Sequence, residues 1–185
     1  MAWSKGVNML LRDAEYRDLP QIVEIVNALL STTTIEWTDA PYTLENRERW
    51  LSYHRNGGEP VLVAELNGEL AGFASYGDFR DSKKWPGYRF TVENTIHVRD
   101  KYWRRGIGHA LIEALVERAS NSGKHAMIAA IDADNTASIA LHARCGFIEV
   151  ARIPAVGWKL QRWLSLILMQ RFVSGGRGAG HLAVL

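Results

Sequence analysis

The stretch Val92–Ala119, VENTIHVRDKYWRRGIGHALIEALVERA, changes its hydrophobic period in the middle. Phe90 to Val98, FTVENTIHV, is rich in β-branched residues and reads as a strand. Further on, Leu111, Ile112, Leu115, Val116 and Ala119 fall on one helical face, in a run that stops near Gly123. Between the two lies the junction Arg104, Arg105, Gly106, Ile107, Gly108, His109. Glycine at such a junction keeps main-chain N–H groups uncovered where a helix starts, and a helix N-terminus suits an anion, phosphate above all. The alternative is a tight turn whose arginines are merely solvated.

Upstream, Leu10–Ala14 reads as a short opening strand, and Asp18 with Gln21 three positions later reads as a cap opening a helix. That helix carries Ile22, Ile25, Val26, Leu29 and Leu30 on one face. A second helix is expected from a Thr43 cap through Trp50 and Tyr53 to Asn56-Gly57-Gly58. Asn67-Gly68 between two β-rich runs signals a hairpin. RDSKKWPGY is irregular. Downstream, His125–Ile131 reads as a strand, NTASIALHARCGF as a helix ending at Gly146, and 147–153 and 163–172 as the two last strands. Helices ahead of a hairpin, then strand, helix, strand, helix and strand, imply a mixed α/β sheet covered on both faces.

With 185 residues the chain holds one sizeable domain. We expect it over 9–172, after an extension (1–8) and before a glycine-rich, disordered tail (173–185). A net charge of +2, with basic residues scattered, argues against nucleic acid and anionic membranes. No run reaches membrane-spanning length. The single Cys145 excludes a disulfide framework, and with no signal-peptide pattern it points to the cytoplasm. No metal is expected: the six histidines show no H-x-H or H-E-x-x-H spacing.

Three carriers use a glycine turn before a helix. A dinucleotide fold needs a third glycine where Leu111 stands, and a nucleotide P-loop needs Lys-Ser/Thr where His109-Ala110 stand. The third is coenzyme A, with its pyrophosphate on the turn and its pantetheine arm beside the preceding strand.

The flanks extend the pattern. Val92–Ala119, followed by IAAIDADNTASIALHARCGF, resembles the Gcn5-related N-acetyltransferase (GNAT) superfamily. YGDFR, GYRFTVENTIHV and VGWKLQRWLSLILMQ are similar to one branch of it, the phosphinothricin and methionine sulfoximine/sulfone N-acetyltransferases. The likeness runs from about Leu11 to Arg171. It implies a mostly antiparallel sheet flanked by helices and splayed at the acetyl-CoA strand. It also implies direct transfer of an acetyl group from acetyl-CoA to the α-amine of a small amino-acid-like acceptor, which would detoxify such glutamine-synthesis inhibitors. Another amine (a polyamine, an aminoglycoside, a protein N-terminus) is the alternative. The branch also implies a homodimer.

Residue by residue, the resemblance makes Glu93 the general base and Ile96, His97 and Val98 the pantetheine-pairing strand. Arg104 to His109 become the pyrophosphate turn, and Asn135 a coenzyme contact as well as a cap. His142 is offered as proton donor to the departing thiolate, against a structural role. Arg80, with Asp81 and Ser82, matches the acceptor-carboxylate region, since a guanidinium binds a carboxylate bidentately. Glu93, Asn94, Thr95 and Trp37 are expected to face the acceptor. Lys159 and Trp163 shape the pocket or a dimer contact, and Cys145 packs. Trp103 departs from the superfamily pattern, which has Gln or Arg there, and residues 81–85 make a longer, more charged loop than the branch shows.

Overall fold

The computed structural model describes residues 9–173. The 1–8 extension and all of the expected tail except Val173 lie outside them. Val173 itself is not tail: it is buried, and its N–H donates to the His125 carbonyl.

In chain order the elements are β1 (Met9–Asp13), α1 (Leu19–Ala28), α2 (Leu44–Gly57), β2 (Val61–Leu66), β3 (Glu69–Asp78), β4 (Thr91–Val98), α3 (Ile107–Asn121), β5 (Ala126–Asp132), α4 (Thr136–Arg144), β6 (Ile148–Lys159) and β7 (Arg162–Phe172). They form one seven-stranded sheet, ordered β1-β2-β3-β4-β5-β7-β6. Every pairing is antiparallel except β4 with β5. Leu111, Ile112, Leu115, Val116 and Ala119 of α3 bury against Met127, Ala129 and Ile131 on one face. Leu19, Ile22, Ile25 and Val26 of α1 and Leu51 of α2 bury against Val61, Val63 and Phe73 on the other.

Local signals act as read at most junctions. Thr43 accepts from the Asn46 N–H, closing α2's first turn, and Gly58 ends it in the left-handed region. Asn67 (φ 51°) and Gly68 (φ 83°) make the two-residue hairpin turn. Asp18 corrects the reading at α1, because its carboxylate takes Arg12 and the Glu15 N–H instead of capping the helix. Gln21 instead accepts from the Leu70 N–H. β6 also runs six residues past its expected end, to Lys159. Pro154 reads as a break, but β6 is the sheet's edge, and its register shifts between Ile153 and Gly157 accommodate the proline. Its turn to β7, Leu160-Gln161, holds both residues at positive φ without glycine, so no turn signal marked it.

Candidate active site

β4 pairs with β5 only through Thr91, Val92 and Glu93; beyond Glu93 the two strands part. This is the expected splay. Arg99 donates to Ala71 and Phe79 to Thr91 across the β3–β4 pairing, so the odd-numbered residues of β4 direct their main-chain groups to β3. The even-numbered residues therefore direct theirs toward β5: the Asn94 N–H closes the last pairing with Ile128, and the Asn94 carbonyl, both main-chain groups of Ile96 and the Val98 N–H face the gap. The strand Ile96-His97-Val98 divides accordingly. Ile96 and Val98 offer main-chain groups to the gap, whereas His97 pairs with Phe73. The His97 side chain stacks on the Phe73 ring, and its Nε2 lies 2.9 Å from Glu36 Oε1.

The gap leads to the start of α3. Gly106 precedes it at φ 80°, in the left-handed region that favours glycine, with no side-chain cap. The first intrahelical bond runs from Ala110 N–H to the Gly106 carbonyl, so Ile107, Gly108 and His109 keep leading N–H groups free of helical partners. Arg104 and Arg105 are exposed beside them. Gly108 has a different reason to be glycine: a Cβ there would sit 2.9 Å from Leu141 Cδ2. Its missing side chain lets Leu141 of α4 pack close to α3. Trp103 folds back so that its indole N–H donates to the Val98 carbonyl at 2.7 Å.

Side chains along β4 alternate between faces. Glu93, Thr95 and His97 face the α1/α2 side. Glu93 is half-buried, and burial pushes its carboxyl above the usual range. Thr95 is exposed although it lies mid-sheet, as is Ala130 on the adjoining β5, so the face is open here. Asn94 does not join them. Its side chain is buried on the opposite face, where Nδ2 donates to His142 Nε2 at 3.2 Å. His142 Nδ1 donates to the Ser138 carbonyl at 2.9 Å, and burial lowers the ring's proton affinity. The imidazole is thus neutral and already committed at both nitrogens, a geometry that orients Asn94 and leaves no N–H for a thiolate. Asn135 caps α4, accepting from the Ser138 N–H.

Residues 29–43, between α1 and α2, roof the open face through four ties. Thr34 donates to Asp132 at the end of β5. Glu36 takes His97 and the Tyr42 hydroxyl. The buried Lys159 ammonium donates to the Leu30 carbonyl at 2.7 Å and to the Glu36 carbonyl at 2.6 Å. The Trp37 ring packs against Gly157, where any Cβ would collide with it. Sequence reasoning gave Trp37 and Lys159 but missed Glu36, which carries no motif.

Arg80 is exposed at the start of the 79–90 loop, over the Phe79 and Tyr88 rings at 5.8 and 5.6 Å. Asp81 accepts from the Lys83 and Lys84 N–H groups, and Ser82 N–H donates to Asp78. The charged insert thus folds on itself. Cys145 is buried, which pushes its thiol up to about 11. Among the described residues one cluster gathers metal-ligand atoms, His109, Glu113 and Cys145, within 4.8 Å of one another. Its Glu113 already pairs with Arg171 at 2.6 Å.

Known proteins share this arrangement. The chain matches the Acetyltransferase (GNAT) family over residues 22–147. It is 44% identical over 170 residues to the L-methionine sulfoximine/L-methionine sulfone acetyltransferase of Pseudomonas aeruginosa, covering 91% of this chain and 97% of that one. With the phosphinothricin N-acetyltransferase of Alcaligenes faecalis it shares 32% identity, over 86% of this chain and 80% of that one. The solved structure of a GNAT superfamily phosphinothricin acetyltransferase from Sinorhizobium meliloti, in complex with AcCoA, superposes with TM-score 0.87 at 31% identity, covering 96% and 95% of the two chains.

Proposed function

The chain belongs to the acetyltransferase (GNAT) family, and from that premise we propose that it moves the acetyl group of acetyl-CoA to the α-amine of methionine sulfoximine, methionine sulfone or phosphinothricin. The observation that carries this reading is the parting of β4 from β5 immediately after Glu93, with a proton-seeking carboxylate at the fork.

The donor set fits the coenzyme. Main-chain groups of Asn94 and Ile96 match the amides of a pantetheine arm, and the N–H groups of Ile107, Gly108 and His109, with Arg104 and Arg105, match a pyrophosphate. When bound, acetyl-CoA supplies an activated acyl group as its thioester. Glu93 takes the ammonium proton of the acceptor, and its raised proton affinity suits that step near neutral pH. The N–H group of Ile96, fixed by the strand, stabilises negative charge developing on the acetyl oxygen. His142 acts through Asn94, holding that stretch of β4 in place. Arg80, next to the β3 end that pairs with the start of β4, binds the acceptor's carboxylate. The roof of residues 34–37 shuts water from the amine.

One catalytic domain over 9–172 carries these parts. The unpaired, buried Cys145 supports a reducing, cytoplasmic setting. Trp158 and Trp163 are 53% and 63% exposed and pack edge to face at 5.3 Å beside the edge strand β6, which supports a homodimer through that edge. The test is mass spectrometry of products from acetyl-CoA and a panel of methionine sulfoximine, methionine sulfone, phosphinothricin, a polyamine and an aminoglycoside. Acetylation of the first three, with thiol release, is expected; acetylation of only the last two overturns the acceptor assignment.

A further inference from the structure

Moving an acetyl group from a thioester to an ammonium releases one proton net. Glu93 must therefore pass on what it takes before the next turnover. A second carboxylate lies in the same row of the sheet. The β2–β3 register pairs Val61 with Ser75, so its continuation sets Glu59 opposite Gly77, and Gly77 pairs with Glu93. Neighbouring strands lie about 5 Å apart, which puts the Glu59 and Glu93 backbones about 10 Å apart across a residue with no side chain.

Glu59 and the α2 residue His54 border the space above that glycine. A Cβ on Gly77 would lie 3.5 Å from Glu59 Oε2 and 3.7 Å from His54 Cε1. The two side chains are only 11% and 8% exposed; Glu59 Oε2 and His54 Nδ1 face each other at 3.3 Å without an aligned hydrogen bond, and the main chain of Asp78 and of Tyr76 lies against the Glu59 carboxylate and the His54 ring. The other buried carboxylates, Asp18 and Asp132, are held by Arg12 and Thr34. Glu59 follows the Gly58 turn that ends α2, where the chain meets solvent.

We propose that Glu59 receives, through water passing over Gly77, the proton that Glu93 takes from the acceptor. The inference rests on Glu93 as base. As the O–H bond on Glu93 breaks, one forms on Glu59, and Glu59 then yields its proton to solvent, leaving both carboxylates ready for the next turnover.

The groups facing this pair agree with such a route. Burial and the charge of Asp78 raise the proton affinity of Glu59, while Lys124 and the Asp78 main chain lower it, and burial raises that of Glu93 too. Burial, aided by Arg47, pushes His54 down to about 4, so it stays a neutral wall and does not trap the proton. The Trp50 and Tyr53 rings close its outer side.

Two variants of the full chain test the route with methionine sulfoximine as acceptor. Glu59→Gln removes the proton acceptor at constant size. Gly77→Ala narrows the passage, with contacts no tighter than 3.5 Å. Both are expected to lower kcat by about tenfold or more, to leave the KM of acetyl-CoA unchanged, and to raise the solvent deuterium isotope effect on kcat. Added acetate, a small diffusible base, should restore much of the rate to Glu59→Gln. Parental kcat and isotope effect in Glu59→Gln overturn the proposal, as does a loss that acetate leaves uncorrected. A parent chain releasing no thiol with any acceptor fails the acetyltransferase assignment itself, and the proton route with it.

Discussion

Lys159→Met would cut two ties between the edge strand and the roof of the site while keeping the side chain's length and most of its apolar stem. Lys159 is 2% exposed, and its ammonium donates to two main-chain carbonyls, those of Leu30 and Glu36. Hydrogen bonds from a charged donor contribute roughly 1.5–3 kcal/mol each, so the pair is worth about 3–6 kcal/mol. Relief of the ammonium's burial cost returns part of that, which leaves a loss of about 2 kcal/mol. Since 1.4 kcal/mol is tenfold, the equilibrium between the roof closed and open should shift by about 30-fold. Residue-resolved amide exchange reads that ratio. Thr32 and Thr33, whose N–H groups donate to the Leu29 carbonyl, should lose about 30-fold in protection, while Leu111 to Ala119 of α3 should not change. The acceptor's KM should rise and that of acetyl-CoA should not. Unchanged protection at Thr32 and Thr33 would refute the reasoning, and so would an equal loss across α3, which would make Lys159 a part of the global core.

Glu93→Gln should lower kcat by about 100-fold or more with acetyl-CoA binding kept, measured by thiol release and calorimetry. Glu93 has a raised proton affinity in the fold, so its ionised form costs stability above the ordinary carboxyl range. Glu93→Gln should therefore melt higher than the parent at pH 8, and the advantage should vanish below the ordinary carboxyl range, by scanning calorimetry. Cys145→Ser should keep kcat within about twofold, and the parent should resist thiol reagents at pH 7 while folded, because burial holds its thiol at about 11. Replacing both Trp158 and Trp163 by glutamate should convert a dimer to a monomer in light scattering without unfolding it.

Much of this was legible in the chain because it rests on local rules. The α3 face, the Thr43 cap and the Asn67-Gly68 turn each follow from a few neighbouring residues, and the structure has all three. Glu93 was found through a motif; its burial agrees with the role but is not visible in the strand's own pattern. Asn94 shows where such reading stops, since neighbours on a strand face opposite sides and only the register says which side holds the acceptor. Gly108 was read as leaving main-chain N–H groups uncovered; its missing side chain also lets Leu141, a residue over thirty positions away, pack against it. Lys159 and Glu36 work through contacts with distant main chain, and Glu59 through a sheet row that spans three strands. None of these leaves a trace in spacing.

The central claim is that the even-numbered residues of β4 and the start of α3 receive the coenzyme. Amide exchange with and without acetyl-CoA tests it most directly. Binding should protect the N–H groups of Ile96, Ile107, Gly108 and His109 and leave Asn94, already bonded to β5, and Thr95 and His97, already bonded to β3, as they were. Protection that fell equally on odd and even residues of β4, or that left Ile107 to His109 untouched, would contradict it.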